Sequence, residues 1–347
     1  MRQAFQVERE RLLPETWEWI MIQSMNFPIS AYSIAPYGSW DILAGKVRAL
    51  GLDGIEGISD PFDPDDSFPL SLLSGYHMMF YADWLDFYRQ DRSALLRKFG
   101  SMETVRSFYR GTQPEDLMKQ FRDDLDLAIS MHTPYVVFHV SDVSIEEGYT
   151  YRWLHTDREV LDAAIGFINE LLRGTDPTFD FLVENQWWPG FTFTDPQKTE
   201  YLLSGIKYPR TGIMLDTGHL MNTNPKIRTQ ADGIEYILEM IRRHGSLKSS
   251  ILGMHFHQSL SGAYVRKTAG RFPEDMPADY FEAFSKSYAH IRMIDRHHPW
   301  TDPECVKILD EVQLSYLTHE LSSAEGRSQL SAVKRQLNTI RKGSSDR

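Results

Sequence analysis

The sequence contains a single cysteine, Cys305, among 347 residues. That excludes an intrachain disulfide and points to a reducing compartment, the cytoplasm. No run of about 18 apolar residues occurs, and charge interrupts the stretch from Met1 to Ser24, so neither a membrane span nor a signal peptide is expected. Basic charge is in deficit, with 37 Lys+Arg against 48 Asp+Glu and a net charge of −11. A polyanion-binding surface relies on Lys and Arg to displace counterions, so nucleic acid is not an expected partner and a small-molecule substrate is. A homo-oligomer is compatible with these numbers. Also missing are a G-x-G-x-x-G turn and a Walker sequence, which argues against an open dinucleotide-binding sheet. Hydrophobic residues at 41% and aromatic residues at 12% provide ample core and exclude intrinsic disorder.

Short β-branched and aromatic runs recur, separated by longer stretches with helical spacing. Strands are predicted at Ile29 to Ile34, Gly54 to Ile58, His77 to Ala82, Tyr135 to Val140, Phe179 to Gln186, Thr211 to Thr217, Ile251 to Gln258 and Leu314 to Leu321. Their near-continuous apolar character suits parallel strands covered on both faces. Helix starts are marked by Thr112-Gln-Pro-Glu, Thr156-Asp-Arg-Glu and Thr229-Gln-Ala-Asp. The predicted fold is an α/β (β/α)8 TIM barrel occupying residues 26–347 as a single domain, after an N-terminal extension over 1–25. Residues 60–74 form an acidic, proline-rich loop, and residues 259–300 a long insertion between the seventh and eighth strands, expected to act as a lid. The basic C-terminal end (Arg341, Lys342, Arg347) is expected to be solvated.

In such barrels chemistry sits at the C-terminal ends of the strands. There the sequence places His139 in VVFH, Glu184 and Asn185 in FLVENQ, Asp216 and His219 in LDTGH, His255 and His257 in GMHFH, and His319 and Glu320 in LTHEL. Carboxylates converging on one buried space need positive charge. Lys and Arg are absent from these ends, so a divalent metal is the expected source. His255 and His257, two apart, share a face, whereas His319 next to Glu320 should point outward toward the helices.

These motifs resemble the xylose isomerase-like barrels, which include sugar isomerases and epimerases, inosose-processing enzymes and endonuclease IV. The resemblance spans roughly residues 27–342 and implies a metal set of Glu184, Asp216, His255 or His257, and Glu320. A second likeness, to endonuclease IV and its three zinc ions, lies in DRHH at residues 295–298, in His139 and in His77. It implies additional ligands at His77, His139, His219, Asp295 and His297. The loop DPFDPDD, where such a nuclease carries basic and aromatic residues, would repel a phosphate backbone.

The expected function is a divalent-metal-dependent isomerase or epimerase of a sugar or sugar-like polyol, active in carbohydrate metabolism. It would move a proton through a metal-stabilised enediolate, with Glu184 and Glu320 as bases and His219 holding a substrate oxygen. His139, Asn185, Trp187 and, in the insertion, Arg266 are candidate substrate contacts. The alternative is a multinuclear metal hydrolase of phosphate esters, or a related dehydratase. An oxygen-rich single site suits Mn2+, Co2+ or Mg2+, and added histidines favour Zn2+ or Fe2+.

Overall fold

The computed structural model describes residues 21–60, 63, 65–322 and 328–345. Eight strands, β1 (Ile22–Ile29), β2 (Gly54–Ser59), β3 (Leu73–His77), β4 (Tyr135–His139), β5 (Asp180–Glu184), β6 (Thr211–Asp216), β7 (Ile251–His255) and β8 (Tyr316–His319), close into a barrel in sequence order. Every neighbouring pair is parallel, and β1 closes against β8. Helices cover the outside. The boxes predicted at Thr156 and Thr229 cap the helices Asp157–Leu171 and Gln230–Arg243. The helix predicted from Thr112 is instead capped one residue later, by Gln113. Among the described residues no helix is long and apolar enough to cross a membrane.

Strand parity explains both the core and the site. Side chains two apart on a strand share a face. Val136 and Phe138 on β4 and Phe181 and Val183 on β5 face the helices in the main apolar cluster. Tyr135, Val137, Leu182, Met214 and Tyr316 fill the barrel interior. Continuing the inward series by one step reaches His139, Glu184 and Asp216, so the alternation that fills the barrel also delivers polar groups to its mouth. On β8 the inward residues are Tyr316 and Thr318. His319 therefore faces out, where its Nδ1 lies 2.8 Å from the Gln336 amide of the helix Gln329–Ser345, as expected.

Two strands differ from their predicted positions. β1 lies at Ile22–Ile29, and residues 31–34 of its predicted span are helical. The mixed sequence IQSMNFPI alternates in burial and lacks the apolar continuity that marks the other strands. β1 thus begins inside the span assigned to the N-terminal extension, while residues 1–20 lie outside the described residues. β3 runs Leu73–His77, so His77 closes that strand and does not open it. Its sequence LSGYH disguises it, because Gly75 is a weak strand former. Glycine is required there: a Cβ would stand 2.0 Å from Cζ of Tyr135, which crosses β3 at that point.

The insertion predicted over 259–300 holds the helices Gly262–Thr268 and Tyr280–Ile294. The second is fastened to the helix Ile145–Thr150 by the ring of His290 stacked on Tyr149, with centroids 4.0 Å apart.

A buried ionic bracket ties together the loops leaving β3 and β4. Lys98 Nζ lies 2.7 Å from both Asp83 and Asp86, and His155 Nε2 lies 3.0 Å from Asp86. Asp142 accepts the amides of Trp84 and Leu85. Burial pushes the Asp83 carboxyl up to about 7 against the pull of Lys98, so Asp83 ionises at far higher pH than Asp86. Asp86, although buried, is held down to about 2 by His155 and Lys98. The signs oppose. Asp86 contributes stability above the ordinary carboxyl pKa that is lost as pH falls toward 2, whereas the raised Asp83 contributes stability that is lost as pH rises through about 7. Replacing Lys98 by Met leaves buried acids without their cation, with an expected loss of about 3–5 kcal/mol at pH 8. The loss should shrink at pH 5.5, where Asp83 is protonated, and urea denaturation at both pH values measures it; a pH-independent loss would contradict the charge argument.

Candidate metal centre

Among the described residues, four overlapping groups of side chains at the C-terminal mouth have ligand atoms within 4.8 Å of one another. One comprises His77, His139 and Glu184; a second Glu184, Asp216, His255 and Glu320; a third His219, Asp295 and His297. The fourth, His257 with His297 and Glu320, borrows from the others. All the ligands implied by the two likenesses are thus brought together, including both strand-seven histidines. Asp295 and His297, at the end of the insertion, complete the third group.

Hydrogen bonds decide what each imidazole offers. His77 Nδ1 donates to the Met78 carbonyl at 2.8 Å, His219 Nδ1 to the Asn185 carbonyl at 3.0 Å, and His297 Nδ1 to the Glu320 carbonyl at 3.1 Å. A carbonyl only accepts, so in each ring the proton sits on Nδ1 and Nε2 turns a lone pair inward. Those lone pairs meet acceptors. His77 Nε2 is 3.1 Å from His139 Nε2 and 3.3 Å from Glu184 Oε2, and His139 Nε2 is 2.9 Å from the same oxygen. His219 Nε2 and His297 Nε2 lie 3.2 and 2.5 Å from Asp295 Oδ2. His297 has a φ of 46°, in the left-handed region that a non-glycine residue seldom occupies, a local strain found at functional sites.

His255 is turned the other way round. Its Nδ1 faces Glu184 Oε1 at 3.2 Å, Glu320 Oε2 at 3.1 Å and Asp216 Oδ2 at 3.7 Å. One N–H cannot serve three carboxylates. Glu320 Oε2, moreover, is buried without a hydrogen-bond partner. A buried pocket of acceptors and lone pairs is costly unless a cation fills it. The charge field agrees. Burial opposes ionisation of Glu184, Asp295 and Glu320, yet the imidazoles around them hold all three well below the ordinary carboxylate range. Burial would likewise depress His219 and His255, but neighbouring carboxylates hold both well above the usual imidazole value, and His297 is raised to about 10, so without a cation these rings hold a second proton, the positive charge that a divalent ion would replace as it takes their lone pairs. For His139 burial prevails and its pKa falls. The residues therefore fit a divalent cation by the chemistry of their donors.

Around this shell sit supporting groups. His257 Nε2 is 2.9 Å from Asp216 Oδ2, and its ring stacks on His297 at 4.2 Å. It lies against Gly218, where a Cβ would meet the ring at 2.0 Å. Glycine in D-T-G-H is thus the space that His257 occupies. The Gln186 side-chain amide lies 3.0 Å from His219 Nδ1, where its oxygen is the end that can accept the Nδ1 proton. Glu56 on β2, absent from the sequence-based candidates, lies 2.9 Å from His255 Nε2. Only its inward parity at mid-strand, in GIEGIS, could have drawn attention to it.

Two expected substrate contacts fall elsewhere, and a third, Trp187, is buried against the ring of His219. Asn185 is fully buried and uses both ends of its amide on the Asp216 backbone, bracing β6 against β5. Arg266 is exposed and donates to the Pro225 carbonyl, away from the centre. Trp187 is buried, 5.1 Å from His219 and 4.2 Å from Trp188, within an apolar cluster with Val143, Val265 and Ile294. The aromatic wall at the mouth is Phe80, which is 47% exposed and lies 4.3 Å from the His139 ring.

The family model for the xylose isomerase-like TIM barrel matches residues 44–325. Among solved structures, L-ribulose 3-epimerase superposes with a TM-score of 0.51 at 11% identity, over 93% of this chain and 94% of that one. A xylose isomerase-like TIM barrel/4-hydroxyphenylpyruvate dioxygenase fusion protein gives 0.52 at 13% identity, over 94% of this chain and 43% of that one. Endonuclease IV from Thermus thermophilus gives 0.49 at 12% identity, over 94% of this chain and 99% of that one. At these identities the likeness to the first two establishes the fold alone. No curated protein sequence matches this chain.

Gly218→Ala should drive His257 off Asp216 and weaken metal retention roughly 10- to 100-fold, as loss of a ligand's supporting hydrogen bond does elsewhere. Chelator competition measures it, and unchanged retention would remove His257 from the support of Asp216. Arg266→Ala should leave both metal content and turnover unchanged, which elemental analysis and a steady-state assay check.

Proposed function

The chain belongs to the xylose isomerase-like TIM barrel family, and from that premise we propose that it is a multinuclear metal-dependent hydrolase of small phosphate esters. The observation that carries this reading is Glu184. Its Oε2 faces His77 and His139, and its Oε1 faces His255 and His219. A carboxylate engaged on both oxygens by separate imidazoles joins two binding groups, and is poorly placed to carry a proton to and from a sugar carbon. Asp295 and His297, with His219, provide a third group that a one-ion isomerase does not use.

The ligands would be His77, His139, Glu184, Asp216, His219, His255, Asp295, His297 and Glu320, with Glu184 shared. This imidazole-rich set favours Zn2+ or Fe2+ over Mg2+. When bound, such ions supply positive charge for a phosphoryl group and lower the pKa of water. The protein fixes which nitrogen of each imidazole faces the centre, excludes bulk water with buried flanks, and presents Phe80 as an apolar wall beside it. Duplex nucleic acid remains a poor substrate on charge grounds. The acidic stretch DPFDPDD and a net charge of −11 repel a phosphate backbone.

The second reading, a sugar isomerase or epimerase with one ion held by Glu184, Asp216, His255 and Glu320, draws on the same second group. Ion counting separates the two. Protein reconstituted with Zn2+ should hold three ions per chain. His297→Ala should remove one and cut hydrolysis of bis(p-nitrophenyl) phosphate by at least about tenfold. A single ion indifferent to that substitution, with solvent deuterium entering a ketose, would overturn the hydrolase and support the isomerase.

A further inference from the structure

Glu56 lies midway along β2, 2% exposed, with Asn26 of β1 and Gly75 of β3 as its register neighbours. Three groups from three other strands converge on it. His255 Nε2 of β7 is 2.9 Å from Oε1, while the Tyr135 hydroxyl of β4 and the Thr318 hydroxyl of β8 donate to Oε2 at 2.7 and 3.0 Å. Tyr135 reaches Glu56 by crossing over Gly75, where any side chain would block its ring. His77 and His297 give their outer N–H to neutral backbone carbonyls, and His219 Nδ1 lies 3.0 Å from the Asn185 carbonyl and 3.2 Å from Glu184 Oε1 of the centre itself, whereas the outer nitrogen of His255 meets a buried carboxylate from outside the ligand set.

We infer that Glu56 is a positioning residue that holds the His255 proton on Nε2 and so keeps the Nδ1 lone pair aimed at the Glu184, Asp216 and Glu320 oxygens for a divalent cation. Without an acceptor behind it, the ring is free to adopt the opposite tautomer, placing an N–H where the cation would sit. A carboxylate in that position also makes the imidazole a stronger donor than a carbonyl would. Tyr135 and Thr318 hold Oε2, which seats the carboxylate with both oxygens within reach of His255 Nε2, at 2.9 Å for Oε1 and 3.1 Å for Oε2. The inference rests on the metal-binding reading of the second group proposed above.

The test uses the full chain loaded with Zn2+ alone, with ions counted per chain and affinities taken from chelator competition. Glu56→Gln should weaken one ion roughly 10- to 100-fold while the other two keep wild-type affinity. The urea midpoint of the metal-free variant should stay near wild type. Tyr135→Phe, which removes one donor from Glu56 and leaves the His255 contact, should weaken the same ion by less. Three ions at wild-type affinity in Glu56→Gln would overturn the role of Glu56, and so would equal weakening of all three, which marks a general packing defect. If wild type takes up no Zn2+, the metal centre itself falls, a failure distinct from either. Nitrogen-15 spectra of the His255 ring in the zinc-loaded wild type supply a check that needs no variant: protonation at Nε2 is expected, and protonation at Nδ1 would overturn the inference.

Discussion

A proton can occupy only one nitrogen of a neutral imidazole, and the centre at the barrel mouth is organised by where those protons are pinned. Backbone carbonyls take them from His77 and His297, the Asn185 carbonyl and Glu184 Oε1 both face that of His219, and Glu56 takes that of His255. Each inward nitrogen is left electron-rich and turned toward carboxylates that are themselves buried. Such an arrangement is unfavourable by electrostatics until positive charge enters it. The fixed carbonyls matter as much as the side chains, because they belong to segments immediately following the strands and move only if the barrel does.

The barrel's pleat provides the rest. Inward parity carries Val137 to His139, Leu182 to Glu184 and Met214 to Asp216, so one continuous layering of side chains is apolar below and polar at the top. The carboxylate of Glu56 is the exception, an ionisable group placed one layer down. It is tolerated there because His255, Tyr135 and Thr318 supply its hydrogen bonds. Tyr135 serves both layers, with its ring against Tyr316 in the interior core and its hydroxyl on Glu56.

What could be read from the sequence depended on local signals. Apolar runs ending in single polar residues identify β4 to β8 and hence Glu184, Asp216, His255 and Glu320, while D-R-H-H points to Asp295 and His297. β1 and β3 are hidden because IQSMNFPI and LSGYH combine polar residues, proline and glycine, and their pairing is imposed by barrel closure and not by propensity. Glu56 is hidden because nothing local distinguishes a buried acid in GIEGIS from a solvated one. Its partners are 79, 199 and 262 residues away in the chain. Asn185 and Arg266 show the converse: adjacency to a ligand, or a charge in a nearby loop, does not place a side chain in the mouth.

The insertion before β8 carries two members of the third group on the chain just past the helix Tyr280–Ile294, which is itself fastened to the helix after β4 by His290 on Tyr149. The closed cylinder furnishes every donor of the first two groups, whereas two of the three donors of the third come with a helical arm packed against the far side of the wall. Ion occupancy in the third group thus depends on the docking of that arm, and occupancy in the first two on the cylinder.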